Sequence, residues 1–367
     1  MTARLVSLDV YRGLVVAGML VVTNAGNWDA VYWPLRHADW NGWTPTDLIF
    51  PSFLFMVGVA LTFSFARRIE AGVARGALAK HVVRRAAILI VLGLFLNGFP
   101  FFHLSTIRIP GILQRIALCY LFGGLLYLAS RRVVVIASVA VALLVGYWAI
   151  LRFVPVPGFG AGRLDSLGNL GAYIDRAVFT IPHLWPYGLT LGHGVTYDPE
   201  GLLSTLPAIV NLLMGVLAGE WMRSSRAGAE KALRMAVAGI LVMAAGLLLN
   251  PVIPINKRIW TSSFALFSGG FSMMAFAALY WIVDMRQWRA WTGPALVLGT
   301  NAIFAFALAT MLSPLLGLAG VPHWFYGQVF SKFMGPYNAS LAWALLFLAV
   351  NVALVWPLYR KRWFVRI

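Results

Sequence analysis

Apolar runs of about 20 residues follow one another along almost the whole chain, separated by short polar or Gly/Pro-rich stretches. A run of that length covers a hydrocarbon core of roughly 30 Å as an α-helix, and it lacks the alternation of a barrel strand. A segment in lipid must satisfy its own backbone N–H and C=O groups, which leaves helix as the conformation open to these runs. Composition excludes a soluble protein: 60% of the 367 residues are hydrophobic and 11% charged, against about 45–50% and about 25% in soluble domains. The expected fold class is all-α, a polytopic transmembrane helix bundle of about ten spans, with residues 1–367 forming a single membrane domain.

The expected spans are Leu5–Asn24, Pro45–Phe65, Val82–Asn97, Pro110–Ser130, Val133–Leu151, Leu202–Met222, a seventh ending at Asn250, then Ile259–Val283, Pro294–Leu316 and Tyr337–Trp356. No small-residue cleavage pattern follows the first, so it reads as a retained helix. A longer connection at 152–201 is rich in Gly, Pro and aromatics. Both termini then fall on one side. That side carries nineteen Lys and Arg, including Arg4, the loop from Arg67 to Arg85 and the tail to Arg366, against eight on the other. The positive-inside rule puts the termini in the cytoplasm, with His37 and the 152–201 loop on the outer side.

The net charge of +17 would suggest nucleic acid in a soluble chain. Here it reads as membrane orientation, so the expected partner is the lipid bilayer and not nucleic acid. One cysteine, Cys119, lies inside an apolar run, which leaves no disulfide framework. The histidines form no i,i+4 pair and no HExxH, so no metal is expected, and there is no GxSxG, P-loop or GxGxxG in strand context.

Polar chemistry concentrates between Asn24 and Gly58, in NAGNWDAVYWPLRHADWNGWTPTDLIFPSFLFMVG. Thr44 is placed as an N-cap, Pro45 suits the first helical position, and Asp47 falls three after the cap, as in a capping box with Asp replacing Glu. Capping alone would account for Asp47. The same geometry would also hold an ionised carboxylate beside an imidazole, orienting His37 and leaving its other ring nitrogen as base or nucleophile. The alternative for His37 is a lone interfacial histidine. Asn24, at the end of the first span, either bridges to a neighbouring helix or offers its NH₂ to an oxyanion.

Five further polar residues are candidates for structural pairing or for holding a ligand. Arg12 lies three after Asp9, with which it pairs on one helix face. Gln114 and Arg115 sit about one turn inside the fourth span, where a guanidinium needs a partner. Lys257 opens the eighth span beside Asn256; a cation there opposes the helix dipole and calls for an anionic partner, carboxylate or ligand. Asn301 falls inside the ninth span after Gly299-Thr300. Asp198-Pro199-Glu200-Gly201 reads as a turn and cap before the sixth span.

Several segments together carry a resemblance: LDVYRGL, Asn24, RHADWNGWTPTDLIFPSFLFMVG, IRIPGILQRIALCY, TYDPEGLLSTLPAIVNLLMG and PINKRIWTSSFALFSGG. They resemble the heparan-α-glucosaminide N-acetyltransferase family and its bacterial membrane relatives over nearly the whole chain. The resemblance implies a transmembrane acetyl transfer in which cytosolic acetyl-CoA acylates an amine on the far side. It places the family's active-site histidine on His37, the partner carboxylate on Asp47 and the first-helix asparagine on Asn24. Both an acetyl-histidine route and a direct ternary transfer are compatible with the resemblance. The spacer from Asn24 to His37 is about two residues longer than in the lysosomal enzyme, and Ala309-Thr310 or its neighbours stand where the family has a His-Glu pair. The expected acceptor is therefore an amino sugar or another cell-envelope amine or hydroxyl. The expected location is a bacterial inner membrane, with His37 periplasmic and a homodimer as the candidate assembly.

The rival expectation is an amino-sugar transporter in which His37 and Asp47 form a proton-coupled gate. The sequence weighs against it, because no Gly/Pro-broken helix pair is read near the midplane.

Overall fold

The computed structural model describes residues 5–365; Arg4 and Arg366, counted above on the terminal side, lie outside the described residues. Its α-helices are α1 Val6–Val22, α2 Ile49–Glu70, α3 Arg75–Gly98, α4 Ile112–Ala129, α5 Val133–Phe153, α6 Leu170–Phe179, α7 Thr205–Arg223, α8 Gly228–Leu249, α9 Ser262–Leu279, α10 Gly293–Thr300, α11 Ala302–Leu318, α12 Val321–Trp324 and α13 Pro336–Arg360. A small antiparallel hairpin pairs β1 Leu189–Thr190 with β2 Gly194–Val195. Among the described residues, seven helices are long and apolar enough to cross a membrane, or eight if α10 and α11 together make one span. The protein is an all-α polytopic membrane protein.

Three boundaries differ from expectation for identifiable reasons. The basic stretch before the third span is helical from Arg75, since Lys and Arg are good helix formers whose stems can lie along an apolar surface while the charge reaches out. The 152–201 connection contains α6 and the hairpin, though ten residues of helix, about 15 Å long, cannot span a bilayer. The ninth span is not one straight helix: α10 and α11 meet at 88°. Asn301 occupies the break with φ −127° and ψ 40°, and its side-chain Oδ1 accepts from Val365 N–H at 2.9 Å. Gly299 and Asn301 are both weak helix formers, and Asn bonds readily to backbone outside the helix. The segment expected as one continuous span, Pro294–Leu316, is therefore a single broken helix in the fold.

The chain divides into two compact units that are interleaved in sequence, with α2 and α9 each passing from one to the other. The first holds residues up to Ala38, Trp43–Phe53 and Phe276 onward. Here α1 packs on α10, α11 and α13, around Val16, Leu20, Val297, Leu298, Trp343 and Phe347. The approach of α1 to α10 is close enough that a Cβ on Gly13 would strike the Ala295 carbonyl and one on Gly299 the Asp9 carbonyl. Small residues at such crossings let membrane helices gain van der Waals contact that larger side chains would prevent. Asp284 caps α1, accepting from the N–H groups of Val6 and Ser7, each at 3.1 Å.

The second unit holds Asp39–Gly42 and Leu54–Ala275. Gly58 of α2 faces the Leu212 carbonyl, and Gly215 of α7 the Phe55 carbonyl, again without room for a side chain. Between α3 and α4 the space left by Gly93 is filled by Gln114. The short run Asp39–Gly42 belongs here through Trp40 Nε1–H to Leu164 O at 2.9 Å, Asn256 Nδ2–H to Asn41 Oδ1 at 3.1 Å, and Gly42 N–H to Ile255 O at 2.7 Å.

Candidate active site

In the first unit the loop after α1 is tied down before it reaches His37. Ser340 Oγ accepts from Asn27 N–H at 3.1 Å and donates to Asn27 O at 3.0 Å. Asn27 Nδ2–H donates to Tyr326 Oη at 3.1 Å. Farther on, Thr46 Oγ1–H donates to Pro34 O at 2.9 Å, and Thr44 Oγ1–H donates to Arg36 O at 2.5 Å. Residues 34–38 are thereby stitched to the 3₁₀ turn Pro45–Leu48 that leads into α2.

That stitching brings His37 and Asp47 together. His37 Nδ1 lies 2.6 Å from Asp47 Oδ1. Asp47 Oδ2 accepts from Ala38 N–H at 3.1 Å and from Thr44 N–H at 2.9 Å, closing the capping box read from the sequence. A carboxylate can only accept, so Nδ1 carries a proton, and in the neutral ring the lone pair is then on Nε2. The Asp47 side chain is 1% exposed and that of His37 35%. A buried, multiply bonded carboxylate thus holds a ring that is open enough to meet a reactant.

Asn24 is buried near the end of α1. Its amide protons go to Leu20 O at 2.8 Å and Thr23 Oγ1 at 3.1 Å. Among the described residues it folds back on its own helix and bridges to no neighbouring one, so the bridging expectation is corrected: a one-turn backbone carbonyl was within easier reach. Arg12 pairs with Asp9 as expected, at 3.4 Å, and also donates to Gly299 O at 3.3 Å. Asn301 is 1% exposed, and its Nδ2 has no hydrogen-bond partner among the described residues.

The other three candidates belong to the second unit. Gln114 Nε2–H donates to Ile109 O at 3.0 Å. Arg115 is 1% exposed; its Nη2 donates to Gly201 O at 2.9 Å and to Ser204 Oγ, and its guanidinium lies 5.0 Å from the Trp260 ring. These contacts fasten α4 to the segment before α7. Lys257 does not open a helix, because α9 starts only at Ser262 and the turn before it is built by Asn256, whose Oδ1 accepts from Ile259 N–H at 3.0 Å. Its anionic neighbour is Glu200.

The segment 198–201 is more than a turn and cap. Arg108 donates to Asp198 through Nε at 2.8 Å and Nη2 at 2.5 Å, and to Glu200 Oε2 at 2.5 Å. Burial pushes the Glu200 carboxyl up, but Arg108, Lys257 and Arg115 outweigh it and hold the group down at about 2. Asp175 of α6 accepts from Leu202 N–H at 2.8 Å. Burial, assisted by nearby Asp198, pushes its carboxyl up to about 7 despite the Leu202 bond and Arg115. The available sequence signal was the charge imbalance: with twelve acidic residues in a chain of net charge +17, two acids spaced i,i+2 outside the spans stand among an excess of cations.

A family profile described as "Heparan-alpha-glucosaminide N-acetyltransferase, catalytic" matches residues 4–246. The chain belongs to that family. Its matched part contains Asn24, His37, Thr44, Asp47, Gln114 and Arg115, and stops before Lys257 and Asn301. The human protein named heparan-alpha-glucosaminide N-acetyltransferase is 29% identical over an alignment covering 99% of this chain and 60% of the relative. The mouse protein of the same name is also 29% identical, over 83% of this chain and 53% of its own length. The chain thus spans less than two thirds of these heparan-alpha-glucosaminide N-acetyltransferases.

Proposed function

We propose that this protein is a membrane-embedded acetyltransferase that moves an acetyl group from cytosolic acetyl-CoA to the amine of a glucosamine-like sugar, or another envelope acceptor, on the outer face of a bacterial inner membrane. The whole chain acts as one acyltransferase domain with cytoplasmic termini. The observation that carries this reading is the His37 Nδ1–Asp47 Oδ1 bond at 2.6 Å in a member of the family. Family membership and the relatives' names support acetyl transfer to a glucosaminide; the basic terminal side supports the orientation.

In this reading His37 Nε2 takes a proton from the acceptor amine as its nitrogen bonds to the thioester carbonyl carbon. The C–S bond breaks, and the departing CoA sulfur receives the proton back from the imidazolium. Asp47 stays ionised throughout and stabilises the charged ring. An acetyl-histidine route uses the same Nε2 as nucleophile, with acetyl passing from sulfur to nitrogen and then to the acceptor. Asn24 meets the developing oxyanion once its amide turns from Leu20 O. The donor set fits a phosphate-bearing, amide-rich substrate: Arg12 and Asn301, whose Nδ2 has no partner among the described residues, are the residues that would hold the coenzyme. Gln114 and Arg115 are engaged in packing, and Lys257 faces Glu200. From Arg12 to Asn24 a helix rises about 18 Å, within reach of an extended pantetheine arm.

The test is acetyl transfer by the purified protein in liposomes, with acetyl-CoA and a panel of amines headed by glucosamine. N-acetylglucosamine formation supports the reading; no transfer to any amine overturns it. The 88° break between α10 and α11 favours a second reading, transport of an amino sugar, since broken helices line substrate paths in transporters. Sugar flux into liposomes lacking any CoA supports that alternative.

A further inference from the structure

The hydroxyl of Thr44 touches both members of the His37–Asp47 pair through their surroundings. Thr44 is 3% exposed. Its Oγ1 donates to the carbonyl of Arg36, the residue immediately before His37, at 2.5 Å, and lies 3.1 Å from Asp47 Oδ2. Its own N–H donates to that same Oδ2 at 2.9 Å, and Ala38 N–H, from the residue after His37, donates there at 3.1 Å. The peptide groups on both sides of His37 are therefore held by Thr44 or by the carboxylate Thr44 binds. A hydroxyl has one proton, and the shorter distance puts it on Arg36 O. The two backbone N–H groups then serve Oδ2, and Oδ1 is left to the imidazole.

We propose that Thr44 is a positioning residue for His37, with its hydroxyl fixing the backbone at Arg36 so that the imidazole meets Asp47 Oδ1 in one orientation. Capping accounts for the Thr44 backbone N–H and for its hydroxyl oxygen as an acceptor, but not for the hydroxyl proton, which goes eight residues back in the loop to Arg36 O. This inference rests on the acetyltransferase reading of the His37 site.

The experiment compares wild type, Thr44→Val, Thr44→Ser and His37→Ala in detergent, with acetyl-CoA and glucosamine. Thr44→Val keeps the shape and the backbone N–H while removing the hydroxyl. Expected is a fall in kcat of about tenfold to a hundredfold, with KM for both substrates within about twofold of wild type, and recovery of most of kcat in Thr44→Ser. Folded fraction is read by size exclusion, so that kcat refers to folded protein. If His37→Ala is inactive and Thr44→Val turns over like wild type, the positioning role is overturned while the site stands. If Thr44→Val lowers only yield and melting temperature, with kcat per folded molecule unchanged, Thr44 is structural alone and the inference is equally overturned. If His37→Ala transfers acetyl as fast as wild type, the acetyltransferase reading of the site falls, and the Thr44 role falls with it.

Discussion

Asp47 bonds His37 Nδ1 through one carboxylate oxygen and the backbone of residues 38 and 44 through the other. One side chain therefore closes the start of a membrane helix and sets the tautomer of an imidazole. The arrangement separates two effects that substitution at Asp47 would otherwise mix.

Asp47→Asn keeps the size and one acceptor oxygen but turns the other group into a donor facing N–H groups. Loss of the cap costs about 1 kcal/mol, seen as a modest drop in melting temperature. Loss of the charge behind His37 is expected to lower kcat by about 10² to 10⁴. Steady-state kinetics on protein shown to be folded separates the two; a kcat within a few-fold of wild type would reduce Asp47 to a cap.

Arg108 joins two buried carboxylates, Asp198 at 0% and Glu200 at 7% side-chain exposure. Arg108→Ala leaves both without their main cation, and breaking a buried pair in this way costs about 3–5 kcal/mol. Loss of folded protein, or a large drop in melting temperature measured by intrinsic fluorescence, is expected. An unchanged melting curve would show that the cluster is solvated.

How much of this was legible in the chain depended on whether the signal was local. The apolar runs and the Thr44–Asp47 capping box were readable because both are set by residues within one or two turns. The Arg12–Asp9 pair followed from i,i+3 spacing. The break at Asn301 was not readable, since Gly299-Thr300-Asn301 is tolerated in a straight helix and the bend is completed by a bond from Val365, 64 residues away. Lys257 was misplaced because the apolar run begins before the helix does; Asn256 and Thr261 organise a turn first, with Thr261 Oγ1 accepting from Asn256 N–H at 3.0 Å. The Arg108 cluster needs contacts over about 90 positions, which no periodicity encodes.

Asp175 predicts a pH dependence of stability. Its carboxyl titrates near 7 in the folded protein against an ordinary 3.8. Between those values the folded chain keeps a proton that the unfolded chain releases. The contribution is therefore full below about 3.8, declines as pH rises, and is lost above about 7, with a slope of at most about 1.4 kcal/mol per pH unit. Glu200, held down at about 2 from 4.5, acts oppositely, its contribution being lost only as pH falls below about 4.5. Melting temperatures from pH 5 to 8 should fall in wild type and flatten in Asp175→Asn, which retains an acceptor for Leu202 N–H. Equal slopes in the two proteins would contradict the assignment.

Gly299 has the Asp9 carbonyl where a Cβ would go. Gly299→Leu should force α10 away from α1, and overpacking of this kind costs about 1–3 kcal/mol or more. Expected are a lowered melting temperature and a raised KM for acetyl-CoA, because Arg12 donates to Gly299 O. Wild-type stability in this variant would show that α1 and α10 are not in contact there.

The central claim is that His37 performs the proton or acyl transfer. It is tested most directly by the rate at which purified His37→Ala, beside wild type, forms N-acetylglucosamine from acetyl-CoA and glucosamine. The account predicts a loss of at least about 10²-fold in folded protein; transfer at the wild-type rate would contradict it.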